Sequence, residues 1–400
     1  MTKSSCQEIW LALDDTDERE FGCTTFDFNN LLESIESNCE ITDVRLVRLW
    51  PFAARRTRGN AALAAKITCT ESSWPRISDS ITIWFNNRFS MLEPDDSKHS
   101  AQPVLVAFHE RPAEKLYWDT VRSEVTLENR VLELEEYRFD SWFSPRGMNG
   151  IIGASAAAAW RGGNDFTWEY IAWRTDTNSI RNVPEKLVKN MSKRYPLTFM
   201  NRDPNAGKSL IAPRTPCPVL YGVRGESSKS VESAHKYLQE NGAELAKSGR
   251  LHRTNQASDD HIESIESAIL STNPKILEGG HVILFTDRKL ASFSEGGPIN
   301  KLAQSMKEGD SIEWIGLESP DGTIHLEKLK LVNGIRNLRR PVCSCGARFK
   351  SKGKSQDLKC PNCKSVSADR WESDSLSSDW VESPPQYRRH LSKPISREKV

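Results

Sequence analysis

The amino-terminal region joins a short apolar run to a segment with helical spacing. Ile9–Leu13 (IWLAL) is apolar and compatible with a β-strand, and it stops abruptly at the acidic stretch 14–17 (DDTD). After a polar loop, apolar side chains recur at the three- and four-residue intervals of a helix: Phe28, Leu31, Leu32 and Ile35. The pattern predicts a strand–loop–helix unit with an acidic loop at the carboxyl end of the strand, where α/β sheets usually bind ligands.

The next part of the chain predicts further strands and helices of a mixed α/β protein. Strands are predicted at 44–49 and 61–68, and a long helix at 113–136. A second α/β unit follows over 140–270, in which the polar, proline-rich segment 175–215 is predicted to be a loop. Within that unit, small residues predict a helix at 154–160 and an apolar run predicts a strand at 170–174.

The carboxyl-terminal third changes to short alternating strands separated by glycine turns. This pattern covers 276–332 and predicts a small β-barrel, for which an OB-fold is a fitting choice. The tail after residue 365 is rich in Ser, Asp and Pro and is predicted to be irregular. The pattern therefore predicts several consecutive domains.

Composition limits the class of protein and the compartment. The 400 residues are 37% apolar and 27% charged, which fits a folded protein of two to four domains. A net charge of +1, from 55 basic and 54 acidic side chains, means that any nucleic-acid surface is local. No segment approaches the roughly 18–20 apolar residues of a membrane span, and the amino terminus lacks the apolar core of a signal peptide.

Cysteine usage favours a reducing, cytoplasmic compartment. The chain has 9 cysteines, an odd number, and those outside the carboxyl-terminal cluster are scattered singly. Such a set is a poor disulfide framework. The cluster is Cys343-x-Cys345 with Cys360-x-x-Cys363, and four thiolates in two knuckles indicate a structural zinc ribbon. Surrounding basic residues suit contact with an RNA backbone, although a zinc module that binds another protein would show the same spacing.

The acidic stretch and the start of the following helix form a candidate metal–nucleotide site. Asp14, Asp15 and Asp17 repel one another unless a cation such as Mg²⁺ neutralises them, and Mg²⁺ prefers oxygen ligands. Gly22 lets the backbone approach a ligand, and the helix that opens at Thr24-Thr25 directs N–H groups toward phosphate. An exposed acidic turn that caps a helix is the structural alternative. The Walker phosphate loop is absent from the sequence.

Two arginine-bearing segments are candidate phosphate contacts. The loop 55–60 (RRTRGN) presents guanidinium groups that bind phosphate bidentately, although a solvated hairpin tip would have the same composition. In TPCPVLYGVRGE, Arg224 stands between glycines, where an ion pair with Glu226 is the alternative, and Cys217 is expected to be a buried thiol. The predicted nucleotide-contacting set is Gly22, Thr25, Arg56, Arg58, Asn60 and Arg224.

The ordered series of these motifs resembles the archaeal tRNA-isoleucine 2-agmatinylcytidine synthetase family. The matching landmarks, spread over 9–394, are LDDTD…GCTT, TRGN, NGIIGA, DFTWEYIAWR, TPCPVLYGVRGE, TNQASDDH, EGGHV and PPQYRRHLSKP. The resemblance implies a multidomain α+β fold with four modules: a kinase-like catalytic ATP-binding α/β domain at 1–138, a ferredoxin-like domain at 139–268, an OB-fold β-barrel that binds RNA at 273–335, and a zinc ribbon with the tail at 338–400.

The resemblance also implies a reaction. ATP with Mg²⁺ would phosphorylate the C2 oxygen of the wobble cytidine in an isoleucine tRNA with a CAU anticodon, and agmatine would then displace phosphate, so that the tRNA decodes AUA. By position, Thr24 matches the family's autophosphorylated threonine, and Asp14, Asp15 and Asp17 match its metal- and ATP-binding loop. Membrane attachment and an obligate protein partner are not expected.

This sequence departs from the family pattern at three places. Phe21 and Gly22 reverse the usual placement of glycine before the cysteine, Asn149 stands where an arginine is usual, and the first cysteine knuckle is one residue shorter. Arg146 is the candidate replacement for the missing arginine. For the guanidinium of agmatine, an acidic slot that involves Asp259, Asp260 or Glu226 is predicted.

Two other classes of function fit part of the sequence. A non-catalytic RNA-binding protein would use the barrel, the ribbon and the basic tail, but three adjacent carboxylates contribute nothing to binding a polyanion. A small-molecule kinase or ligase with a zinc module would use the acidic loop without tRNA. A requirement for tRNA in ATP turnover separates that class from the tRNA-modifying enzyme.

Overall fold

The structure, a computed structural model, describes residues 5–18, 22–56, 59–95, 97, 100–163, 165–177, 179–353 and 356–398. These residues divide into two units, the first formed by 1–263 with 388–400 and the second by 264–387. The predicted arginine Arg58 lies outside the described residues. In the described part of the chain, no helix is long and apolar enough to cross a membrane.

A nine-stranded sheet organises the first unit. Its strands and a separate hairpin are β1 (Cys6–Asp14), β2 (Glu40–Arg48), β3 (Ala61–Thr70), β4 (Val104–Phe108), β5 (Phe139–Phe143), β6 (Thr167–Trp173), β7 (Thr198–Phe199), β8 (Arg202–Asp203), β9 (Lys208–Ser209), β10 (Val219–Gly225) and β11 (Ser248–Thr254). The order in the sheet is β5-β4-β1-β3-β2-β11-β6-β10-β7, and β8 pairs with β9. Every neighbouring pair in the large sheet is antiparallel except β2 and β11.

Helices cover both faces of this sheet. They are α1 (Thr24–Ile35), α2 (Trp74–Phe89), α3 (Lys115–Arg122), α4 (Leu127–Leu134), α5 (Ile151–Ala159), α6 (Glu185–Arg194) and α7 (Ser228–Glu240). One core joins β1, β3 and β4 to α3 and α5, and a second joins the same strands to α1 and α2. A third core packs β6 and β10 against α6 and α7.

The parallel contact between β2 and β11 is short and is extended by a side chain. Only Arg45 with Arg253 and Leu46 with Thr254 are paired in the ladder. Directly beyond it, the fully buried Asn255 accepts from the Arg48 N–H (2.7 Å) and donates to the Arg48 carbonyl (2.9 Å). The Asn255 amide therefore occupies the place of a further residue in the ladder and continues the sheet.

The predicted amino-terminal strand–loop–helix unit and the two following strands are confirmed, but the long helix at 113–136 was wrong. It is two helices, α3 and α4, because Ser123 is extended (φ −150°, ψ 170°) and Thr126 caps α4 by accepting from the Asn129 N–H. The break turns α4 so that the buried Arg130 donates to the Leu116 carbonyl at 3.0 Å.

Two other segments are more ordered than predicted. The expected loop at 175–215 contains α6, whose apolar Leu187, Val188 and Met191 are buried in the core. The helix α2 was not predicted, although Ile77, Ile81, Phe85 and Phe89 recur at four-residue spacing on its buried face. Apolar spacing was readable in both, but neighbouring prolines and polar residues obscured it.

The second unit consists of two further sheets. Its elements are β12 (Glu266–Ile269), β13 (Lys275–Ile276), β14 (Val282–Phe285), β15 (Lys289–Ser292), α8 (Pro298–Ser305), β16 (Ser311–Glu318), β17 (Thr323–Arg339), β18 (Lys350–Ser351), β19 (Leu358–Lys359), β20 (Val366–Ser367), β21 (Glu372–Leu376) and β22 (Val381–Glu382). The main strand order is β12-β16-β17-β15-β14-β13, with β21 and β22 also paired to β17. The path of described strands is open and shows no closed barrel, so the predicted β-barrel is not confirmed.

The expected irregular tail after residue 365 is also corrected. Strand β21 pairs with the carboxyl-terminal part of β17, for example Leu376 with Gly334, and β22 pairs with its middle. The polar composition of β21 hid it, because all of its side chains are exposed and no apolar alternation is needed. The final segment returns to the first unit.

Candidate active site

The acidic turn lies at the end of β1 and is held by one backbone N–H group and by side-chain hydrogen bonds. Asp14 is the last residue of the strand, and Asp15 has a left-handed backbone (φ 59°), which is rare outside glycine. The Gln102 N–H donates to Asp15 Oδ2 at 3.0 Å. Behind the turn, the Thr16 hydroxyl donates to Asp27 Oδ2 (2.8 Å), and Arg88 Nε donates to Asp27 Oδ1 (3.0 Å). The turn is thereby fastened to α1.

Burial disfavours the charge on this turn. The pKa of Asp14 is raised from 3.8 to about 7, chiefly by burial, with a smaller contribution from the negative charge of Asp17. Burial and the neighbouring Asp14 likewise hold the pKa of Asp15 well above its ordinary value. Two carboxyls that resist ionisation would become good ligands when a cation replaces the lost hydration. The donor set therefore fits Mg²⁺, a hard cation that takes carboxylate oxygen.

Helix α5 packs directly against Asp14 through Gly153 and its preceding residue Gly150. A Cβ on Gly153 would lie 1.8 Å from Asp14 Oδ2, and a Cβ on Gly150 would lie 2.9 Å from the Asp14 carbonyl. Only glycine allows this approach, which brings the first turn of α5 and its positive dipole to the carboxylate. Asn149, which precedes the helix, donates its N–H to Gln102 Oε1 at 3.1 Å.

Thr24 opens α1 beside the same turn. Its hydroxyl donates to Asp17 Oδ1 at 3.0 Å, and the residue is only 5% exposed. Gly22 has a left-handed backbone (φ 79°), and a Cβ there would meet the Thr16 carbonyl at 2.6 Å. The Thr25 hydroxyl accepts from Trp173 Nε1 at 3.3 Å. The first N–H groups of a helix have no acceptor within the helix, so this end of α1 is suited to an anion.

The basic loop is only partly directed at the site. Arg55 donates to the Ser100 carbonyl and the exposed Arg56 donates to the Ala53 carbonyl, each at 3.0 Å. Asn60 donates its side-chain amide to the Trp50 carbonyl at 2.7 Å. Arg146, the candidate replacement for the family arginine, instead pairs with Glu18 at 2.6 Å.

Most of the predicted residues that the structure describes line two cavities that share Asn60. The smaller cavity, of about 110 Å³, is lined by Asp14 and Asp15 among others. The larger, of about 530 Å³, is lined by Asp17, Thr24, Thr25 and Arg224. The carboxylates therefore do not all face one space: two face the smaller cavity and the third faces the larger.

Three further residues of the larger cavity were not found from the sequence: Arg48, Glu169 and His390. Glu169 is 3% exposed, and its carboxylate lies 3.3 Å from Arg224 Nε and 3.9 Å from Arg48. Burial opposes its charge, but Arg224 and Arg48 outweigh burial and lower the pKa of Glu169. Arg224 therefore pairs with Glu169, and the alternative partner Glu226 pairs with Arg397 at 2.6 Å.

The acids proposed from sequence for a guanidinium slot have partners within the protein. Asp260 accepts from the Tyr117 hydroxyl at 2.5 Å, and Asp259 accepts from the Lys393 N–H at 2.6 Å. Together with the Glu226–Arg397 pair, these contacts give all three acids structural roles. Cys217 is a buried thiol, as expected.

The cysteine cluster of the second unit forms a compact thiol group. The Sγ atoms of Cys343 and Cys363 lie 3.4 Å apart, as do those of Cys345 and Cys360, and all four lie within 4.8 Å of one another. Sulfur atoms around a tetrahedral Zn²⁺ with bonds of about 2.3 Å have similar spacing. The short first knuckle is compatible with this arrangement, because Gly346 turns the chain with a left-handed backbone (φ 87°).

Comparison with known proteins identifies the family. Family models match the chain as the TiaS TCKD domain (10–142), the TiaS FLD domain (148–261) and the TiaS C-terminal zinc ribbon domain (340–374). The isoleucine-tRNA 2-agmatinylcytidine synthetase TiaS of Archaeoglobus fulgidus is 30% identical, over 98% of both chains. The chain belongs to the TiaS family. The TiaS protein of Methanosarcina mazei is also 30% identical, over 97% of both chains.

Solved TiaS structures have the same fold as this chain. The crystal structure of TiaS in complex with its isoleucine tRNA and ATP superposes with a TM-score of 0.77 at 28% identity. The complex of TiaS with the same tRNA, AMPCPP and agmatine gives 0.78 at 26% identity, and both alignments cover 98% of each chain. The likeness therefore extends over both units and includes every part of the site described above.

The packing of α5 on Asp14 leads to a first prediction. We expect Gly153→Ala to weaken nucleotide binding by at least about tenfold, because the added methyl displaces the Asp14 carboxylate or the first turn of the helix. Isothermal titration with an ATP analogue measures the effect. The control is Gly296→Ala, where the nearest side-chain atom to the new Cβ is 3.7 Å away. Equal affinities for wild type and Gly153→Ala would show that this contact does not shape the site.

Proposed function

We propose that this chain is an isoleucine-tRNA 2-agmatinylcytidine synthetase, a C–N bond-forming ligase. It uses ATP to join agmatine to C2 of the wobble cytidine of the CAU-anticodon isoleucine tRNA, which changes decoding from AUG to AUA. The observation that carries the proposal is the full-length match to TiaS proteins, including complexes with tRNA, nucleotide and agmatine. The non-catalytic RNA-binding alternative is not favoured, since it leaves the buried acidic turn without a role.

Activation of the base begins with nucleotide held at the acidic turn. Asp14 and Asp15, which face the same cavity, would hold Mg²⁺, and this ion would neutralise phosphate charge when it is bound. Asp17 would act from the larger cavity, beside Thr24. The first turns of α1 and α5 both meet this turn, and their N–H groups and dipoles favour phosphate there. Gly22 and Gly153 allow the close approach that this geometry needs.

Transfer to the base takes place in the larger cavity. The Thr24 hydroxyl lies beside Asp17 and is placed to contact or accept the transferred phosphoryl group. Arg48 and Arg224 face the same cavity, and their guanidinium groups stabilise negative charge that spreads over the phosphoryl oxygens. Thr25, Asn60 and Arg56 complete the set of contacts proposed from sequence, and Arg58 belongs to the same proposed set.

The second step replaces oxygen by nitrogen at C2. The phosphorylated oxygen of the cytidine becomes a leaving group, and the primary amine of agmatine attacks the same carbon. Water would compete for this activated carbon, so the base must leave the anticodon stack and enter a pocket that excludes water. The cavity between Thr24 and the Arg48–Glu169–Arg224 group is the proposed pocket.

The remaining modules are proposed to hold the tRNA. We assign a kinase-like catalytic domain to 1–138, a ferredoxin-like domain to 139–268, an OB-fold to 273–335, and the zinc ribbon and tail to 338–400. Cys343, Cys345, Cys360 and Cys363 would bind one Zn²⁺, which fixes the ribbon so that its basic residues can meet the RNA backbone. The scattered single cysteines support a cytoplasmic location.

The proposal is tested by direct assay with a variant of Thr24. Wild-type protein incubated with ATP, radiolabelled agmatine and a CAU-anticodon tRNA transcript should yield labelled agmatinylcytidine after nuclease digestion. We expect Thr24→Ala to reduce incorporation by at least about 100-fold, because a contact to the transferred phosphoryl group is lost. The affinity for tRNA should change less than about threefold, because the hydroxyl faces the nucleotide. The control is Thr42→Ala, because the Thr42 hydroxyl donates to the Lys66 carbonyl and lies outside the two cavities of the site.

Two outcomes would contradict this scheme. Incorporation by Thr24→Ala at the wild-type rate would remove the role given to Thr24. Absence of labelled agmatinylcytidine with wild-type protein would overturn the function itself.

The raised pKa of Asp14 predicts how metal binding depends on pH. Because the folded-state pKa, about 7, exceeds the ordinary 3.8, the stability contributed by burying this carboxyl is present below pH 4 and lost as the pH rises through 7. Mg²⁺ with an ATP analogue compensates the charge, so we expect it to raise Tm more at pH 8 than at pH 6. Thermal unfolding measures this difference, and Asp14→Asn should remove most of it. An equal rise in Tm at pH 6 and pH 8 on addition of Mg²⁺ with the ATP analogue would exclude the acidic turn as the metal site.

The cysteine cluster predicts one bound zinc per chain. Metal analysis of the intact protein should find about one equivalent of Zn²⁺, and Cys360→Ser should lose most of it, since three thiolates hold the ion less tightly. Limited proteolysis should then cut within 338–376. Cys6→Ser, an exposed cysteine outside the cluster, should keep its zinc. Wild-type protein without zinc after purification in the presence of zinc would exclude the metal ribbon.

A further inference from the structure

The carboxyl-terminal segment is built into the catalytic unit. The Ala257 N–H donates to the His390 carbonyl (2.8 Å), and the Asp259 N–H donates to the Leu391 carbonyl (2.9 Å). Leu391 is 2% exposed within the core that contains α3 and α5. Farther on, Arg397 forms an ion pair with Asp165 at 2.7 Å. The basic tail found in the sequence therefore fixes His390 in place.

The imidazole of His390 faces the proposed reaction space. It lines the 530 Å³ cavity with Thr24, Arg48 and Arg224. It also lines an adjoining cavity of about 280 Å³ that contains Arg56 and Phe52. The two ring nitrogens differ: Nδ1 is within hydrogen-bond distance of Gln256, whereas Nε2 has no hydrogen-bond partner in the described part of the chain. Nε2 is the nitrogen near Gly59, at the wall of the cavity.

A chain of hydrogen bonds fixes the proton on His390. The neighbouring arginines lower the pKa of Glu169 and favour its carboxylate form, which accepts from the NH₂ group of Gln256. The Gln256 carbonyl oxygen then faces His390 Nδ1 at 3.1 Å and can only accept. Nδ1 must carry the proton, and Nε2 is left with a lone pair. The order Glu169–Gln256–His390 therefore presents a hydrogen-bond and proton acceptor to the cavity.

The charges around His390 keep this acceptor neutral. Arg48, together with burial and Arg224, holds the pKa of His390 well below its ordinary value. Glu169 lies beyond Gln256, Asp17 lines the same cavity, and Arg56 lies in the adjoining one. A phosphoryl group between Arg48 and Arg224 would offset the main repulsion and make His390 more basic once the activated base is in place.

We propose that His390 Nε2 accepts the proton of the attacking amine during C–N bond formation. This inference rests on the proposed function. The amine nitrogen of agmatine forms a bond to C2, and the C2–O bond breaks with its electron pair going to the departing phosphate. One proton passes from the amine nitrogen to His390 Nε2 and then to that phosphate. Gln256 and Glu169 are positioning residues, since they act through His390.

The alternative is that His390 serves only to pack the tail. Its backbone carbonyl and Nδ1 already account for that role, because both have partners within the protein. A purely structural imidazole has no need of an Nε2 that lies on the wall of the cavity with Arg48 and Arg224 and has no partner among the described residues. A variant that keeps the Nδ1 contact and removes Nε2 separates the two roles.

His390→Asn is that variant, because its side-chain amide can still donate to Gln256. The full chain is incubated with γ-³²P-labelled ATP and the CAU-anticodon tRNA, first without agmatine and then with ¹⁴C-agmatine. We expect phosphate transfer to the tRNA within about threefold of wild type, and agmatine incorporation slower by roughly 10²- to 10⁴-fold, the usual contribution of a general base. His390→Ala should show the same loss of agmatine incorporation. Its rate of incorporation should rise by at least about tenfold when imidazole is added. His109→Asn, outside both cavities, is the matched control.

Each outcome has one meaning. Agmatine incorporation by His390→Asn within about threefold of wild type would overturn the assignment, as would an equal loss of both steps without imidazole rescue. A wild-type protein that transfers no agmatine would instead refute the proposed function before any variant is compared. The rate of incorporation against pH adds an independent readout. The fall in rate at low pH that comes from protonation of His390 should disappear in His390→Asn, while that of His109→Asn should not change.

Discussion

The contact between β2 and β11 is the constraint on which the site depends. Without it, the strands of the first half and those of the second would form separate sheets. The ladder itself pairs only two residues on each strand, and Asn255 extends it by bonding to both backbone groups of Arg48. Asn255 also donates to the Tyr117 hydroxyl at 2.8 Å, so three segments meet at one buried amide. Buried polar networks of this kind rigidify a structure because each unmet group is costly.

Joining the sheets brings together charges that neither half contains alone. Arg48 belongs to β2, Arg224 to β10, and Glu169 to β6 between them. Burial opposes the charges of Arg48 and Glu169, and it lowers the pKa of Arg48 to about 10. Glu169 compensates by lying between the two guanidinium groups. The result is a pair of arginines that face a cavity and are held by one carboxylate, an arrangement suited to a phosphoryl group.

The acidic turn and this basic group present opposite electrostatic conditions on either side of Thr24. At the turn, buried carboxyls resist ionisation, and a cation bound there would offset the cost of their charge. In the larger cavity, the guanidinium groups of Arg48 and Arg224 provide positive charge that suits an anion. A reaction that moves phosphate from a metal-bound nucleotide to a base needs both, at sites close enough for one transfer. The carboxyl-terminal segment adds His390 to the cavity that Arg48 and Arg224 line.

Local sequence was enough to specify many individual elements of this protein and the chemistry of its motifs. The apolar run before DDTD, the helix at Thr24, the cysteine knuckles and the family resemblance were all readable because they depend on neighbours in the chain. Arg48, Glu169 and His390 could not be predicted as site residues from local sequence. Each lies in an ordinary strand or in the tail, and its partners in the site are far away along the chain. The break between α3 and α4 and the open strand path were likewise decided by packing. Long-range pairing, above all β2 with β11, is a property of the folded molecule, because local propensity does not specify which strands will meet.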